Sequence, residues 1–342
     1  MQAAVLKGIK NLLIEEYPLR SLKKDELLIE VASCGVCGTD KHIYEGKAPS
    51  NFPIILGHEY SGIIADKPTN DKKFSIGDKV VIDPNIHCGY CTYCRRGQVN
   101  FCLNLKALGV TLDGGFANYS IVPSIQAYII PQNFNLHNAA FTEPISCCLR
   151  GIEQADIKPG ETVVIVGGGA IGLIMVQLAK ISGAANVILV EPVEFKRELG
   201  LKLGANSVLD PNEVNFIDHY DEITKLVSDV IIECVGSKDT VELSFQLSRK
   251  GSRVIIFGLA PSDHNLTVNL QFLFLNEIKI MNSYLNPFLF SKAIDLLISG
   301  RLDVKSLISR QLPLEETNKV FNTGDYSSII KYQIINNSKE AA

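Results

Sequence analysis

The feature that most constrains the fold is a glycine-rich turn between an apolar run and a helical segment. Residues 163–172 read Val-Val-Ile-Val-Gly-Gly-Gly-Ala-Ile-Gly, a strand followed by a G-x-G-x-x-G turn and the start of a helix. In such a turn Gly167 permits a tight reversal, Gly169 lets the backbone approach a pyrophosphate, and Gly172 lets the helix pack closely on the strand. The helix N-terminus, with Ile171 in its first turn, then faces the anion, so the segment predicts a dinucleotide site.

An acidic residue ends the next apolar run and supports this interpretation. Glu191 follows Val187-Ile188-Leu189-Val190, where a carboxylate accepts hydrogen bonds from the adenosine ribose hydroxyls of NAD and repels the 2′-phosphate of NADP. We therefore predict NAD as the coenzyme. Lys196 is a further candidate for coenzyme binding, and together with Arg197 it would soften the preference. The alternative is a glycine-rich core turn beside an incidental surface glutamate.

The middle of the chain alternates between strand-like and helical segments. The apolar runs lie at 162–166, 186–190, 228–234 and 252–258, with a helical pattern at 170–182 and others between the later runs. This alternation is typical of βαβ units and predicts an α/β fold with a doubly wound parallel sheet.

The two ends of the chain have a different sequence pattern. Short strand-like runs separated by Gly, Pro and Asp occupy the first third, at 27–31, 63–65, 79–83 and 117–122. After residue 282 come an amphipathic helical segment, 290–299, and a last strand-like run, 329–335. We predict that residues 146–280 form the dinucleotide-binding domain, inserted between residues 1–145 and 281–342, which form a second, β-rich domain.

Composition excludes several classes of protein. The chain has 342 residues, of which 46 % are hydrophobic, and 33 Lys and Arg against 37 Asp and Glu give a net charge of −4. This balance, without a basic run, argues against a nucleic-acid partner. The N-terminus lacks the pattern of a secretory signal. Residues 162–179 are uncharged and long enough for a short membrane span, but their glycines belong to the turn described above. We expect no membrane partner and a cytoplasmic location.

Four of the nine cysteines form a cluster with the spacing Cys88-x-x-Cys91-x-x-Cys94-x7-Cys102. Thiolates at this density suit a closed, tetrahedral zinc that stabilises a loop without taking part in chemistry. An iron–sulfur cluster and unrelated thiols are the alternatives. A nucleic-acid zinc ribbon would also use four cysteines, but the surrounding chain is not basic.

Three further fragments carry polar residues that could hold a second metal ion. They are Cys34-Gly-Val-Cys37-Gly-Thr39-Asp-Lys-His42, Gly57-His58-Glu59 and Thr142-Glu143-Pro144. Cys, His and Glu are all zinc ligands, and three protein ligands plus one open position are typical of a catalytic zinc. Each fragment alone has an ordinary structural explanation, so the hypothesis depends on their combination.

These motifs, in this order, resemble those of the zinc-dependent medium-chain dehydrogenases, and the resemblance extends over nearly the whole chain. It implies a Rossmann dinucleotide-binding domain and a GroES-like catalytic domain. Glu143, in Thr-Glu-Pro-Ile-Ser, resembles the sorbitol dehydrogenase branch, in which a glutamate replaces the third protein ligand of simple-alcohol dehydrogenases. The implied cofactors are NAD and two zinc ions per chain, one catalytic and one structural.

The resemblance also implies roles for individual residues. Cys37 and His58 bind the catalytic zinc, and Glu59 and Glu143 complete or flank its coordination sphere, directly or through water. Thr39 relays the substrate proton through the nicotinamide ribose, and His42 delivers it to solvent.

The implied reaction is hydride transfer between NAD and the secondary hydroxyl of a polyol or sugar alcohol, free or phosphorylated. Tyr44, Phe116 and Tyr284 are candidate substrate residues. Threonine and cyclic polyols such as inositols are alternative substrates on the same core, and a non-enzymatic zinc- or nucleotide-binding protein is the alternative from another class. The resemblance implies a homotetramer or, alternatively, a homodimer.

Overall fold

The computed structural model describes residues 1–69, 71–261, 264–322 and 328–336, within which the chain forms eighteen strands and eleven α-helices. The strands are β1 (Gln2–Gly8), β2 (Asn11–Glu16), β3 (Glu26–Gly35), β4 (Ile54–Ile55), β5 (Glu59–Asp66), β6 (Lys79–Ile82), β7 (Asn85–Ile86), β8 (Lys106–Ala107), β9 (Tyr119–Pro123), β10 (Ala127–Ile129), β11 (Thr162–Val166), β12 (Asn186–Val190), β13 (Ser207–Leu209), β14 (Val230–Glu233), β15 (Arg253–Ile256), β16 (Lys279–Asn282), β17 (Ile308–Pro313) and β18 (Lys331–Ile335). The helices are α1 (Gly38–Tyr44), α2 (Thr92–Arg95), α3 (Leu136–Ala139), α4 (Thr142–Ala155), α5 (Ala170–Ile181), α6 (Glu194–Lys202), α7 (Phe216–Thr224), α8 (Lys238–Gln246), α9 (Leu270–Leu275), α10 (Phe290–Ile298) and α11 (Thr317–Asn322).

The chain divides into two compact units. Unit 1 comprises residues 1–144 and 287–342, and unit 2 comprises residues 145–286. None of the helices described is long and apolar enough to cross a lipid bilayer.

Unit 2 is built on a six-stranded parallel sheet in the order β13-β12-β11-β14-β15-β16. This order, with the first strand of the unit near the middle, is that of a doubly wound dinucleotide-binding fold. Almost every residue of β11, β12 and β14 is buried, because helices cover both faces of such a sheet. The bare β-branched run at 162–166 is the sequence signature of that burial, and the predicted α/β fold class is confirmed.

Unit 1 contains a seven-stranded sheet in the order β10-β6-β5-β3-β18-β17, with β9 also paired to β3, and smaller sheets β2-β1-β4 and β7-β8. The strands β3 and β5 extend beyond the runs predicted from sequence, 27–31 and 63–65. Their added residues include Ser33 and Ser61, which are polar but fully buried and therefore interrupt the apolar pattern without ending the strand.

The amphipathic segment after residue 290 packs on this sheet. In α10 the buried residues Phe290, Ala293, Ile294 and Leu297 follow the i, i+3, i+4, i+7 pattern of one helix face. Phe290 and Ile294 join a cluster with Ala32, Ile63 and Val81 from the strands and residues from the segment before α4. The last strand, β18, pairs with both β3 and β17, so the end of the chain completes the sheet begun by its first third.

Candidate active site and metal centres

The four-cysteine cluster forms a compact loop beside the small β7–β8 sheet. Ligand atoms of Cys88, Cys91, Cys94 and Cys102 all lie within 4.8 Å of one another. The Sγ atoms of Cys91 and Cys94 are 3.5 Å apart and those of Cys88 and Cys94 are 4.0 Å apart. Four sulfurs at about 2.3 Å from a tetrahedral zinc would be separated by about 3.8 Å, so the cluster fits a closed zinc site.

The backbone of this loop donates hydrogen bonds to two of the four thiols. The N–H groups of Cys91 and Asn104 donate to the sulfurs of Cys88 and Cys102 at 3.4 Å. Burial raises the pKa of Cys88, but the backbone N–H groups of Tyr90 and Cys91 outweigh it and lower this pKa to about 6. The thiolate is the form that binds metal, and hydrogen bonds to the charged form favour it.

A second group brings together Cys37, His58 and Glu59, whose potential ligand atoms also lie within 4.8 Å of one another. Cys37 is the residue that precedes α1, and Glu59 is the first residue of β5. His58 and Glu59 are buried, whereas Cys37 is partly accessible. A thiol, an imidazole and a carboxylate at this separation form a donor set that zinc accepts, and three protein ligands are the number typical of a catalytic zinc.

Asp40 aligns two of these residues. It is fully buried, its Oδ2 accepts from the backbone N–H of Cys37 at 2.8 Å, and its Oδ1 lies 3.3 Å from Nδ1 of His58. Burial lowers the pKa of His58, but the charges of Asp40 and Cys37 raise it well above its ordinary value. The pocket thus favours positive charge. A carboxylate beside one imidazole nitrogen is the usual outer partner of a histidine that binds metal through the other.

Glu59 of β5 forms an ion pair with Lys331 of β18, and strand β3 lies between these two strands. Nζ of Lys331 donates to Oε1 of Glu59 at 2.8 Å and lies 2.5 Å from Oε2. Burial lowers the pKa of Lys331, but the negative charges of Glu59 and Cys37 outweigh it and the pKa stands above its usual value. Lys331 therefore remains charged in a buried position.

The other residues predicted for the catalytic site, Glu143 at the metal and Thr39 and His42 in the proton relay, all lie in unit 1. Glu143 is buried in the first turn of α4 and lies outside the group of three ligands. Thr39 and His42 are partly buried on α1, three residues apart, and so share a helix face. Burial, followed by the charge of Lys47, lowers the pKa of His42, which therefore holds its neutral form at physiological pH.

The glycine turn has the geometry of a dinucleotide site. Gly167 has φ +100° and donates to Val190 at 2.9 Å, which places the turn at the carboxyl edge of β11 and β12. A Cβ on Gly172 would lie 1.8 Å from the carbonyl oxygen of Gly167, so only glycine lets α5 approach the turn. A Cβ on Gly169 would meet nothing within 4 Å. Open space over the N-terminus of α5 is what a pyrophosphate requires.

Glu191 is buried against this turn. Its Oε2 accepts from Gly168 N at 2.6 Å and its Oε1 from Val193 N at 2.9 Å. Each carboxylate oxygen has a second lone pair, so both can still accept a ribose hydroxyl. Arg197 bonds to Asp210 at 3.0 Å and to the carbonyls of residues 191 and 192, while Lys196 lies partly exposed over the Phe195 ring.

The candidate substrate residues differ from one another in their surroundings. Phe116 is fully buried in the core of unit 1, and Tyr44 is buried there with its hydroxyl donating to Asn322 at 3.1 Å. Tyr284, which follows β16, is 52 % exposed. Packing in the core of unit 1 explains the burial of Phe116 and Tyr44. A role for either residue in a substrate pocket stays a prediction.

Sequence reasoning did not assign roles to Asp40 and Lys331. Asp40 stands inside the Cys-Gly-x-Cys-Gly-Thr-Asp-x-His motif, and this position could have identified it as part of the site. Lys331 is a lone charge at the start of an otherwise apolar and amide-bearing strand, which is a weaker signal.

Comparisons with known proteins agree with this chemistry. Residues 23–132 match the family model of the alcohol dehydrogenase GroES-like domain, and residues 170–299 match that of the zinc-binding dehydrogenases. The sorbitol dehydrogenase of Bacillus subtilis (strain 168) is 32 % identical over 323 residues, which cover 93 % of this chain and 91 % of that protein. D-arabinitol dehydrogenase 1 of Uromyces fabae is 31 % identical over 296 residues, covering 85 % of this chain and 84 % of that protein.

A solved structure gives the same result. A zinc-binding dehydrogenase of Sinorhizobium meliloti 1021, crystallised bound to NADP, matches with a TM-score of 0.93 and 36 % identity over 98 % of each chain. The similarity extends over both units, as the sequence motifs predicted. The chain therefore belongs to the zinc-dependent medium-chain dehydrogenase family, in its sorbitol and polyol dehydrogenase branch, and is an oxidoreductase.

Proposed function

We propose that this protein oxidises the secondary hydroxyl of an acyclic polyol or sugar alcohol, free or phosphorylated, and transfers the hydride to NAD. The observation that carries the proposal is the group of Cys37, His58 and Glu59, in which a carboxylate joins the thiol and the imidazole. The named relatives that match over most of the chain, a sorbitol and an arabinitol dehydrogenase, act on acyclic polyols. Threonine and cyclic polyols are the alternative substrates.

The chain's own residues have distinct tasks in this reaction. Cys37, His58 and Glu59 would hold the catalytic zinc, with Glu143 completing or flanking the set. When bound, zinc supplies Lewis acidity that makes a substrate hydroxyl acidic, and NAD accepts the hydride. The four cysteines at 88–102 would hold the structural zinc.

The hydroxyl proton needs a route to solvent. Thr39 offers a hydroxyl and His42 an imidazole on the same face of α1. Because the lowered pKa of His42 keeps its ring neutral and the residue is only partly buried, the ring can accept a proton and release it to solvent.

The solved relative holds NADP, whereas the residues of this chain favour NAD. Glu191 retains free lone pairs for the ribose hydroxyls, and its charge opposes a 2′-phosphate. Arg197, which donates to the Glu191 carbonyl, is already paired with Asp210 at 3.0 Å. We therefore assign NAD, held by the turn at Gly167–Gly172 with Ile171, Glu191 and Lys196.

The assembly and location follow from other features. Strand β16 lies at the open edge of the unit 2 sheet, and Ile280 on it and Phe274 and Leu275 just before it are exposed. An open edge with apolar side chains favours pairing with a second copy, and we propose a homo-oligomer, a tetramer or a dimer. Thiols that bind zinc must stay reduced, which supports a cytoplasmic location.

The test is NAD reduction by the zinc-loaded protein against sorbitol, xylitol, arabitol phosphates, threonine, an inositol and ethanol. We expect turnover with acyclic polyols that chelation abolishes and added zinc restores. Cys37→Ala is expected to abolish it, whereas Cys34→Ala, a thiol of the same motif outside the ligand group, retains it. Turnover of threonine or an inositol alone would replace the proposed substrate. Absence of turnover with the whole panel in a protein holding two zincs would refute the proposal.

A further inference from the structure

The segment that follows the four-cysteine loop (residues 88–102) runs beside the segment that carries His58. Three of its backbone N–H groups donate to the consecutive carbonyls before His58, namely Gly114 to Ile55 at 2.8 Å, Phe116 to Leu56 at 2.9 Å and Gly115 to Gly57 at 2.7 Å. A side chain adds a fourth bond, because Oδ1 of Asp113 accepts from the N–H of Ile55 at 3.0 Å. Residues 113–116 therefore hold the chain as far as the residue that precedes His58.

Glycines bring the two segments into backbone contact. A Cβ on Gly109 would lie 2.2 Å from the carbonyl oxygen of Gly57 and 2.8 Å from the nitrogen of His58. A Cβ on Gly114 would lie 2.2 Å from the same oxygen, so both positions require glycine. Gly57 is also held by Asp40, whose Oδ1 accepts from its N–H at 3.2 Å. The backbone from which the His58 side chain projects is thus fixed by residues 109–115 and by Asp40.

The same segment is fastened to the four-cysteine loop. Strand β7 precedes Cys88 and strand β8 follows Cys102, and the pairing of these two strands forms the base of the loop. Ala107, the last residue of β8, carries the turn that contains Gly109. Its carbonyl accepts at 2.8–3.2 Å from three backbone N–H groups of that turn, those of Val110, Thr111 and Leu112. Its own N–H donates to Oγ1 of Thr111 at 2.9 Å, so the turn follows the position of β8.

The position of β8 depends in turn on the four thiols. Strands β7 and β8 have two residues each, and so short a two-stranded ribbon has little stability of its own. A zinc held by four thiolates cross-links residues 88–102, and the free energy of binding such an ion stabilises the fold of the segment around it. The order of β8, and of the turn after it, is therefore expected to depend on this ion.

We propose that the zinc of the four-cysteine loop positions His58 of the catalytic site, and that residues 107–116, the connecting segment, transmit the effect. The inference rests on the proposed function, because it takes both groups of residues as zinc sites. With the loop closed, the connecting segment packs on the Gly57 carbonyl and the His58 ring is in place before the catalytic metal arrives. With the loop open, His58 must be ordered when the metal binds, which costs conformational entropy and weakens binding.

The test uses the full-length protein with cobalt at Cys37, His58 and Glu59, and measures the visible spectrum of the cobalt and the rate at which it passes to a chelator. Cys91→Ser/Cys94→Ser empties the four-cysteine loop without changing the connecting segment. We expect it to speed cobalt loss by about 10–100-fold, the usual size of effects around metal ligands, and to shift the cobalt bands. Gly114→Ala should do the same with zinc still in the loop, since its Cβ displaces the Gly57 carbonyl.

Two controls separate this effect from general destabilisation. Gly8→Ala adds a methyl group that meets nothing within 4 Å, and Leu247→Ala lowers stability by removing a fully buried side chain from the core of unit 2. Both should keep the cobalt spectrum and the rate of cobalt loss of the unchanged protein. The inference would be overturned by a cysteine variant with unchanged cobalt loss and spectrum, or by the same changes in Leu247→Ala.

A combined variant tests the route. If the empty loop acts through the connecting segment, adding Gly114→Ala to Cys91→Ser/Cys94→Ser should speed cobalt loss by no more than about twofold beyond the faster of the two. Effects that multiply would overturn the inference. If the cysteine variant does not fold, Thr111→Val takes its place, because it removes the side-chain bonds to Ala107 while zinc stays in the loop. Cobalt loss should then be faster, and an unchanged rate would overturn the inference.

These outcomes are distinct from a failure of the proposed function. A protein that binds both metals but oxidises no polyol would refute the proposed function and leave the cobalt measurements valid.

Discussion

At the scale of single residues, one buried carboxylate sets the geometry of the proposed catalytic metal site. Asp40 bonds to the backbone of Cys37, lies beside the ring of His58 and accepts from the N–H of Gly57 at 3.2 Å. Residues 37 and 58 belong to different elements, so this carboxylate holds two segments in register. The ligands are thereby oriented before any ion arrives, which reduces the cost of ordering them.

We expect coenzyme choice also to depend on one residue, Glu191. Glu191→Ala is expected to weaken NADH binding by about 10–100-fold, because hydrogen bonds to a charged acceptor are lost. Binding of NADPH should improve relative to NADH, since the repelling charge is gone. Glu191→Gln is the matched variant. It keeps one acceptor oxygen, so it should lose less affinity for NADH. Because it lacks the charge, it should still reduce the preference for NADH over NADPH. Calorimetric titration of both coenzymes measures this, and an unchanged ratio in both variants would contradict the assignment.

The candidate metal ligands could largely be identified from sequence, but the side chains that contact them could not. Cys37, His58 and the four clustered cysteines stand in motifs with fixed local spacing, which a sequence displays directly. Lys331 is 272 residues from Glu59, and the two meet only because β18 returns to the sheet of β3 and β5. Glu143 stands in a recognisable motif, yet its place beside the metal stays a prediction.

At the scale of elements, the junction of β11 and α5 carries two glycines with different physical roles. Gly172 touches the backbone of the turn, whereas Gly169 faces open space. The same substitution at the two positions should therefore separate folding from coenzyme binding.

Gly172→Ala is expected to lower the free energy of unfolding by about 1–3 kcal/mol or more, because its Cβ meets the Gly167 carbonyl. Gly169→Ala, at a negative φ, should change stability little and instead weaken NAD binding, since its methyl group occupies the space of the pyrophosphate. Denaturant unfolding and coenzyme titration measure the two effects. If Gly169→Ala binds NAD as well as the unchanged protein, the pyrophosphate lies elsewhere.

Strands could be predicted from sequence wherever the buried residues coincide with a continuous apolar run. The parallel strands of unit 2 are buried on both faces and appear in sequence as continuous β-branched runs. In unit 1 the buried polar residues Ser33 and Ser61 break that pattern, and sequence alone underestimated β3 and β5. The Ser61 hydroxyl donates to the Leu136 carbonyl at 2.5 Å, a partner 75 residues away that local sequence does not reveal.

At the scale of the whole molecule, the two candidate metal sites differ in which parts of the chain supply their ligands. The four cysteines come from one loop of fifteen residues, 88–102, whereas Cys37 and the adjacent pair His58 and Glu59 come from two distant segments and offer three ligands. A closed set of four thiolates releases zinc more slowly than a mixed, open set.

We therefore expect two zincs per chain and a stepwise response to chelation. Mild chelation should remove one zinc and the activity while the thermal unfolding transition stays nearly unchanged, and stronger chelation should remove the second and lower that transition. Metal analysis and calorimetry on the same samples provide the check. Cys102→Ser should retain one zinc, and Cys147→Ser, outside both clusters, should retain two. One zinc per chain in a fully active protein would contradict the assignment.

The return of β18 to the sheet also imposes an order on synthesis. Cys37, His58 and Glu59 leave the ribosome early, and the contiguous unit 2 follows with all of its own strands. Glu59 then lacks its partner Lys331 until β18, the last strand described, has been translated. A nascent chain can thus complete the sheet of unit 2 before the sheet of unit 1 closes, and a transcript truncated before codon 331 encodes a chain in which the Glu59 carboxylate never meets Lys331.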